Sequence, residues 1–320
     1  MKSGYGAIST ALAAAALFGA ATPLAKALLG SVSPFMLAGL FYLGSGLGLG
    51  VGIAWRALRS RGLQSAADHR ITKSELPWLV GAIAMGGVAG PALLMLGLSS
   101  TPAATSSLLL NLEGVLTAVI AWVDVDIQVF LGMVAIVAGG VLLSWHPGQA
   151  GVPVGALLIV GACLCWAIDN NLTRKVSAND AMVIACLKGL VAGPVNLAIA
   201  IAAGASLPSA GTVAAAMLTG LAGYGISLVL FVVALRHLGT ARTGAYFSVS
   251  PLFGVVLSLV IWPALPDLSF WIAAALMALG IWLHVRERHE HEHSHELLEH
   301  THRHRHDEHH HHEHAPTRTR

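Results

Sequence analysis

Charge is what this sequence most conspicuously lacks. Asp, Glu, Lys and Arg make up 11% of its 320 residues, against about 25% in an average soluble domain. What charge there is comes in clusters: of 18 Lys and Arg, five lie between Arg56 and Lys73 and six lie from Arg286 onward. No basic stripe is left to bind nucleic acid. Cysteine is almost missing. Cys163, Cys165 and Cys186 sit in apolar runs, and the first two, two apart on one helix, point different ways. That excludes a disulfide framework and leaves three small packing residues. No apolar run carries paired histidine ligands or a Ser/His/Asp set, and no soluble catalytic domain is present, so no enzyme is expected.

Apolar residues fill the space. The chain is 55% hydrophobic with a mean hydropathy of +0.71, which places it in the membrane class. Ten spans of about 18–24 residues are predicted, at 6–26, 34–55, 76–98, 101–122, 128–145, 153–172, 181–203, 212–235, 240–262 and 268–285. The first follows Lys2 and resembles a secretory signal in outline, but Gly6 to Ala25 is long enough to span and is read as a retained helix. Seven of the eight tryptophans (Trp55, Trp78, Trp122, Trp145, Trp262, Trp271 and Trp282) fall near span ends, as interfacial aromatics do.

With the N-terminus inside, the inner segments hold 16 of the 18 basic residues. Lys26 is outside and Lys188 lies within a span. This positive-inside bias puts both termini in the cytoplasm of a bacterial cell, in its cytoplasmic membrane. The segment from His146 to Pro153 divides the spans into two sets of five, and an odd number per half makes the second half run inverted. The expected organisation is a first repeat at 1–146, a linker at 147–152, a second repeat at 153–286 and a tail at 287–320. The fold class is all-α integral membrane.

The fourth span, Thr101 to Trp122, carries Glu113 near its middle. A carboxylate at that depth costs ~2.5–3.5 kcal/mol on insertion scales and faces a protein interior or a water-filled cavity. Ser106, Leu109, Glu113, Thr117 and Ala121 step along one helix face, and Thr243, Tyr246, Ser250, Gly254 and Ser258 repeat the step 137 residues later. Two such faces suggest a repeat around a central cavity. Glu113 is read either as a structural carboxylate or as a cavity group that binds substrate or takes a proton. Its expected partner is Lys188, since both lie about 11–13 Å from the inner face at 1.5 Å per residue. Asp169-Asn170-Asn171 ends the sixth span; it is read as a helix-terminal polar cluster near Arg174, or else as a polar rim on the cavity with Trp166 one turn deeper. Pro23, Pro91, Pro194 and Pro251 are read as kinks, with Pro251 beside Ser250 the best candidate for a functional bend. Gly44 to Gly52 is read as a close-packing stripe.

Asn111-Leu-Glu-Gly114 and its partner Ser248-Val-Ser-Pro251, with Tyr42-Leu-Gly-Ser-Gly-Leu-Gly48 and Ala234-Leu-Arg-His-Leu-Gly239, resemble the drug/metabolite transporter superfamily in its form with two EamA-type domains. The resemblance covers roughly residues 6–285. It implies alternating-access movement of a small organic solute through a central cavity, with the lipid bilayer and a small-molecule substrate as partners. On that reading the candidate substrate-binding residues are Asn111, Glu113, Trp166, Asp169, Asn170, Lys188, Tyr246 and Ser250. The Gly-Glu that members commonly carry after spans four and nine is missing here, where the loops read Val-Asp-Val-Asp-Ile-Gln128 and Pro-Ala-Leu-Pro-Asp267.

The tail stands outside the resemblance. It carries His289, His291, His293, His295, His300, His302, His304, His306, His309, His310, His311, His312 and His314, interleaved with carboxylates. Neutral imidazole suits Zn, Ni, Co and Cu(II), and no fixed spacing singles out one structural site. The expectation is a disordered, multi-site metal chelator. No cofactor is required, and no feature sets an oligomeric state. The alternatives to an organic-solute carrier are a transition-metal carrier served by the tail and a membrane metal sensor that transports nothing.

Overall fold

A backbone inside hydrocarbon must satisfy its own N–H and C=O groups, which an isolated helix does within one segment. In the computed structural model, which describes residues 2–59, 71–121, 127–144, 152–176, 179–238 and 240–285, all regular structure is helical. The first half comprises α1 (Lys2–Leu28), α2 (Pro34–Arg59), α3 (Leu76–Ala82), a π-helical stretch (Ile83–Ala89), α4 (Gly90–Ser100), α5 (Ala103–Leu109), α6 (Leu112–Ala121) and α7 (Ile127–Ser144). The second comprises α8 (Val154–Thr173), α9 (Ala181–Ala202), α10 (Ala210–Gly220), a second π-helical stretch (Leu221–Ile226), α11 (Ser227–Leu238), α12 (Thr240–Phe247), α13 (Ser250–Ile261) and α14 (Leu268–Val285).

Eight stretches, from Gly6–Leu28 to Ala210–Leu238, are long and apolar enough to cross a membrane, and Ser250–Ile261 and Leu268–Leu283 are apolar but shorter. Two expected single spans are divided. The run 101–122 breaks at Leu110 and Asn111, where the Asn111 side chain donates to Leu108 O at 2.9 Å and competes with the helical ladder. The run 240–262 breaks at Ser248 and Val249, just ahead of Pro251 in the first turn of α13. Proline there lacks an N–H to continue the preceding helix and disfavours helical backbone before it.

Lipid gives no hydrophobic drive between helices, so close contact depends on small residues. α2 lies antiparallel to α9, where a Cβ on Gly46 would come within 2.6 Å of Leu190 N and 2.7 Å of Gly189 C. On its other side α2 packs against α10, with Gly44 against the backbone of Met217. The glycine stripe is therefore a packing seam. Other principal pairings are α7 with α14, α4 with α8, α1 with α11, α6 with α8 and α1 with α13. Phe41, Met36, Leu94, Met95, Leu108 and Ile159 are fully buried between them. Large apolar side chains such as Val51, Val141 and Val260 remain exposed, as on a surface that meets lipid. Trp55, Trp78, Trp262, Trp271 and Trp282 are also exposed; Trp122 and Trp145 lie outside the described residues.

Candidate functional site

The site is built around a flaw in the third span. Gly90 N–H donates to Met85 O in the π-helical manner. The next residue, Pro91, has no N–H to offer. Gly86 and Gly87 therefore lose their helical donors, and side chains from three other helices supply replacements. Tyr42 Oη on α2 donates to Gly86 O at 2.6 Å, and Trp166 Nε1 on α8 donates to the same oxygen at 3.0 Å. Asn196 Nδ2 on α9 donates to Gly87 O at 3.1 Å. Pro91, expected as a plain kink, removes an N–H that side chains from these helices replace.

Gly86 has a second role. A Cβ there would collide with the Asp169 carboxylate, so glycine lets that side chain lie against the backbone of the third span. Asp169 is buried. Lys188 Nζ on α9 donates to its Oδ1 at 2.5 Å, Thr173 Oγ1 donates to the same oxygen at 2.8 Å, and Lys188 also donates to Thr173 Oγ1 at 3.0 Å. This corrects two expectations. Lys188 pairs with Asp169, not Glu113, and Asp169 is an interior ion-pair member, not part of a wetted helix end. The pairing obeys the requirement that buried charges be matched and hydrogen-bonded.

Glu113 is left on the first turn of α6, half-buried. Asn170 Nδ2 donates to its Oε1 at 3.0 Å and to Thr117 Oγ1 at 3.3 Å. Among the described residues no cation stands within ion-pair distance of Glu113. Asn170 is exposed, so the pair lines accessible space, not a sealed core. Asp169, Tyr42 and Tyr224 are within electrostatic reach of the carboxylate. Tyr224, in the second π-helical stretch, packs its ring at 5.5 Å from Tyr42, 5.8 Å from Phe41 and 6.1 Å from Phe18. The arrangement can hold one uncompensated negative charge beside a neutral ion pair and an aromatic wall.

Of the residues expected in a substrate site, the fold gathers Glu113, Trp166, Asp169, Asn170 and Lys188. Three are not joined to that group by a hydrogen bond or ion pair among the described residues. Asn111 sits at the α5–α6 break, with Nδ2 3.7 Å from Met277 Sδ. Ser250 is buried where its carbonyl meets Gly19 of α1. Tyr246 is half-buried on α12. Sequence reasoning missed Tyr42, Tyr224 and Asn196 as members. Asn196 carried a usable signal, being with Lys188 one of the two polar side chains in the apolar run from Ala181 to Ala202; the structure buries it completely. The thirteen tail histidines lie outside the described residues, and among the described residues no group of three or more His, Cys, Asp or Glu could hold a metal ion.

A cavity of about 620 Å³ opens at one end of the bundle, and Lys26, Ser99, Thr101, Trp262, Asp267 and Phe270 are among its lining residues. Glu113 and Asn170 do not line it. Lys26 Nζ donates there to Leu98 O and to Ser99 O, placing a cation on the last carbonyls of α4, where the helix dipole favours one. At the other end Arg56 pairs with Asp180 at 2.7 Å.

A model of the EamA-like transporter family matches residues 6–145 and again residues 153–286. An uncharacterized transporter of Methanothermobacter thermautotrophicus is 25% identical over 207 residues, which is 60% of this chain and 60% of that protein's length. A protein of known crystal structure shares the fold over 86% of this chain and 95% of its own, with a TM-score of 0.60 at 21% identity. Matched twice over most of its length, this multi-pass helical chain belongs to the EamA-like transporter family.

Proposed function

We propose that the protein is a secondary carrier that moves a small organic solute across the cytoplasmic membrane by alternating access, with Glu113 as the group that meets the solute. The observation that carries this reading is the accessible Glu113–Asn170 pair where α6 packs on α8, without a counter-ion among the described residues. A carboxylate kept in a membrane protein without a counter-charge is a functional group by default, because it is costly to hold there. Asp169 and Lys188 form the neutral floor beside it, and Trp166 ties that floor to the third span.

Ten spans in two inverted halves, with both termini cytoplasmic, complete the reading. The two π-helical stretches begin at Ile83 and Leu221, 138 residues apart, and the two helix breaks begin at Leu110 and Ser248, also 138 apart. Helix pairings respect the same exchange: α4 with α8 answers α11 with α1, and α6 with α8 answers α13 with α1. The cavity at the Lys26 end supports a state open on that side, with the Arg56–Asp180 end closed.

Flux into liposomes tests the proposal. Reconstituted protein, offered pools of amino acids, organic acids, amines and divalent metals, is expected to move an organic solute, and the Glu113→Gln variant is expected not to. Flux of zinc, nickel or cobalt alone would hand the function to the metal reading. No flux from any pool would end the carrier reading. The tail is proposed as a metal-binding appendage, so truncation after Arg288 should abolish zinc retention and spare solute flux.

A further inference from the structure

At the end of the bundle opposite the large cavity, α2, α9 and α11 enclose a smaller hollow of about 140 Å³. Its apolar wall is a single stripe of α11, made by Leu228, Val229, Val232 and Val233. These positions step by one, three and one, so they share one helix face. Arg236 continues that stripe by one turn, and Arg56 closes the far side.

The charges in this hollow do not cancel. Asp180 is its one carboxylate, and both its oxygens are engaged: Oδ2 accepts from Arg56 of α2 at 2.7 Å and Oδ1 accepts from Met182 N–H at the α9 N-terminus at 2.9 Å. Arg236 is exposed; it is within electrostatic reach of Asp180 but forms no ion pair with it or with any other carboxylate among the described residues. The hollow therefore keeps a net positive mouth. Its depth is marked independently by Trp55, one residue before Arg56, which is exposed and carries the Arg59 guanidinium 4.0 Å from its ring centroid. An exposed tryptophan under a cation belongs at the headgroup level of a bilayer. An apolar stripe running into the hydrocarbon below a guanidinium at headgroup depth has the chemical layout of one molecule, a phospholipid with an anionic headgroup.

We propose that this groove is a binding site for an anionic phospholipid, with the phosphate at Arg236 and an acyl chain along Leu228 to Val233. The occupant would clamp α11 against α2 and α9. α11 continues directly from the π-helical stretch that carries Tyr224, so the lipid would bear on the aromatic wall of the central site.

Native mass spectrometry of the full-length protein in detergent tests this, titrating phosphatidylglycerol and phosphatidylcholine of equal chain length. Wild type should retain phosphatidylglycerol in preference, and Arg236→Gln should weaken that retention about fivefold, the loss of one basic contact to an anionic lipid. Arg59→Gln, which changes a nearby charge outside the groove, should leave it unchanged. Equal retention of both lipids would overturn the proposal, as would unaltered phosphatidylglycerol binding in Arg236→Gln. An equal loss in Arg59→Gln would also overturn it, by showing a diffuse surface-charge effect. If inorganic phosphate displaced the lipid at matched concentration, the site would be one for a free anion and the lipid assignment would fall.

Discussion

Lys188 stands against Asp169, with Nζ 2.5 Å from Oδ1, while among the described residues the Glu113 carboxylate is held by the amide of Asn170, at 3.0 Å, and by no cation. One of two neighbouring carboxylates is thus neutralised and the other is not. Both members of the ion pair are nearly buried, at 15% and 11% side-chain exposure. Breaking such a pair from one side leaves a stranded charge and costs about 3–5 kcal/mol. Lys188→Met and Asp169→Asn should each lower the unfolding midpoint in detergent, and the double variant should recover much of the loss. Additive losses would show that the two charges do not depend on each other. Glu113→Gln combined with Lys188→Met should be additive.

Glu113→Gln separates fold from function. A glutamine carbonyl can still accept from Asn170 Nδ2, so the local hydrogen bond survives while the charge goes. The unfolding midpoint should stay near that of wild type and solute flux should be lost. Unchanged flux would remove Glu113 from the transport route.

Gly86 O has two donors, Tyr42 and Trp166. Tyr42→Phe or Trp166→Phe alone leaves it one, so the loss of hydrogen bonding should be modest, about 1 kcal/mol. Removing both strands a buried carbonyl beside a proline that cannot help. The double variant should therefore lose more than the sum of the singles, by about 0.5–3 kcal/mol for a shared partner. Thermal unfolding of the four proteins, with the cavity left by Trp166→Phe common to both sides of the cycle, measures that excess.

Asp180 caps α9 outside the spans, accepting from Met182 N–H. Burial pushes its carboxyl up, but the hydrogen bonds from Arg56 and Met182 outweigh this and hold it below its ordinary value. Its contribution is then fully present above the unfolded carboxyl pKa of about 3.9 and is lost as pH falls through the depressed folded value. Asp180→Ala should cost about 1 kcal/mol as a lost N-cap. Comparing unfolding midpoints at neutral pH and below pH 4 should show the variant and wild type drawing together in acid.

Hydropathy made the helices legible because lipid leaves the backbone few alternatives. It did not make the partner of Lys188 legible. Glu113 and Lys188 share a depth, and depth is one coordinate; which way each side chain faces around its helix depends on packing between spans. Asp169 was legible as polar but not as buried, since that depends on Gly86 giving it room across a helix boundary. The missing N–H of Pro91 could be read directly. That two glycine carbonyls would go to tyrosine, tryptophan and asparagine could not, because those donors come from 42, 166 and 196, far apart in the chain. The π-helical stretches have no sequence mark of their own in a chain with 35 glycines.

Those two stretches also carry a record of descent. A π turn holds one more residue than the α turn it replaces, so it is what a single inserted codon leaves in a helix that must keep its ends in place. Two independent insertions, landing 138 residues apart in two copies of one family domain, would need a coincidence that one ancestral insertion does not. One extra residue already present in the repeated domain accounts for both stretches at once. Pro91 has no such counterpart: the position 138 residues on is Val229, so the two copies differ there. Around the first stretch, tyrosine, tryptophan and asparagine donate to the carbonyls of Gly86 and Gly87, so a surplus residue that recurs along the chain serves an arrangement of donors particular to one half.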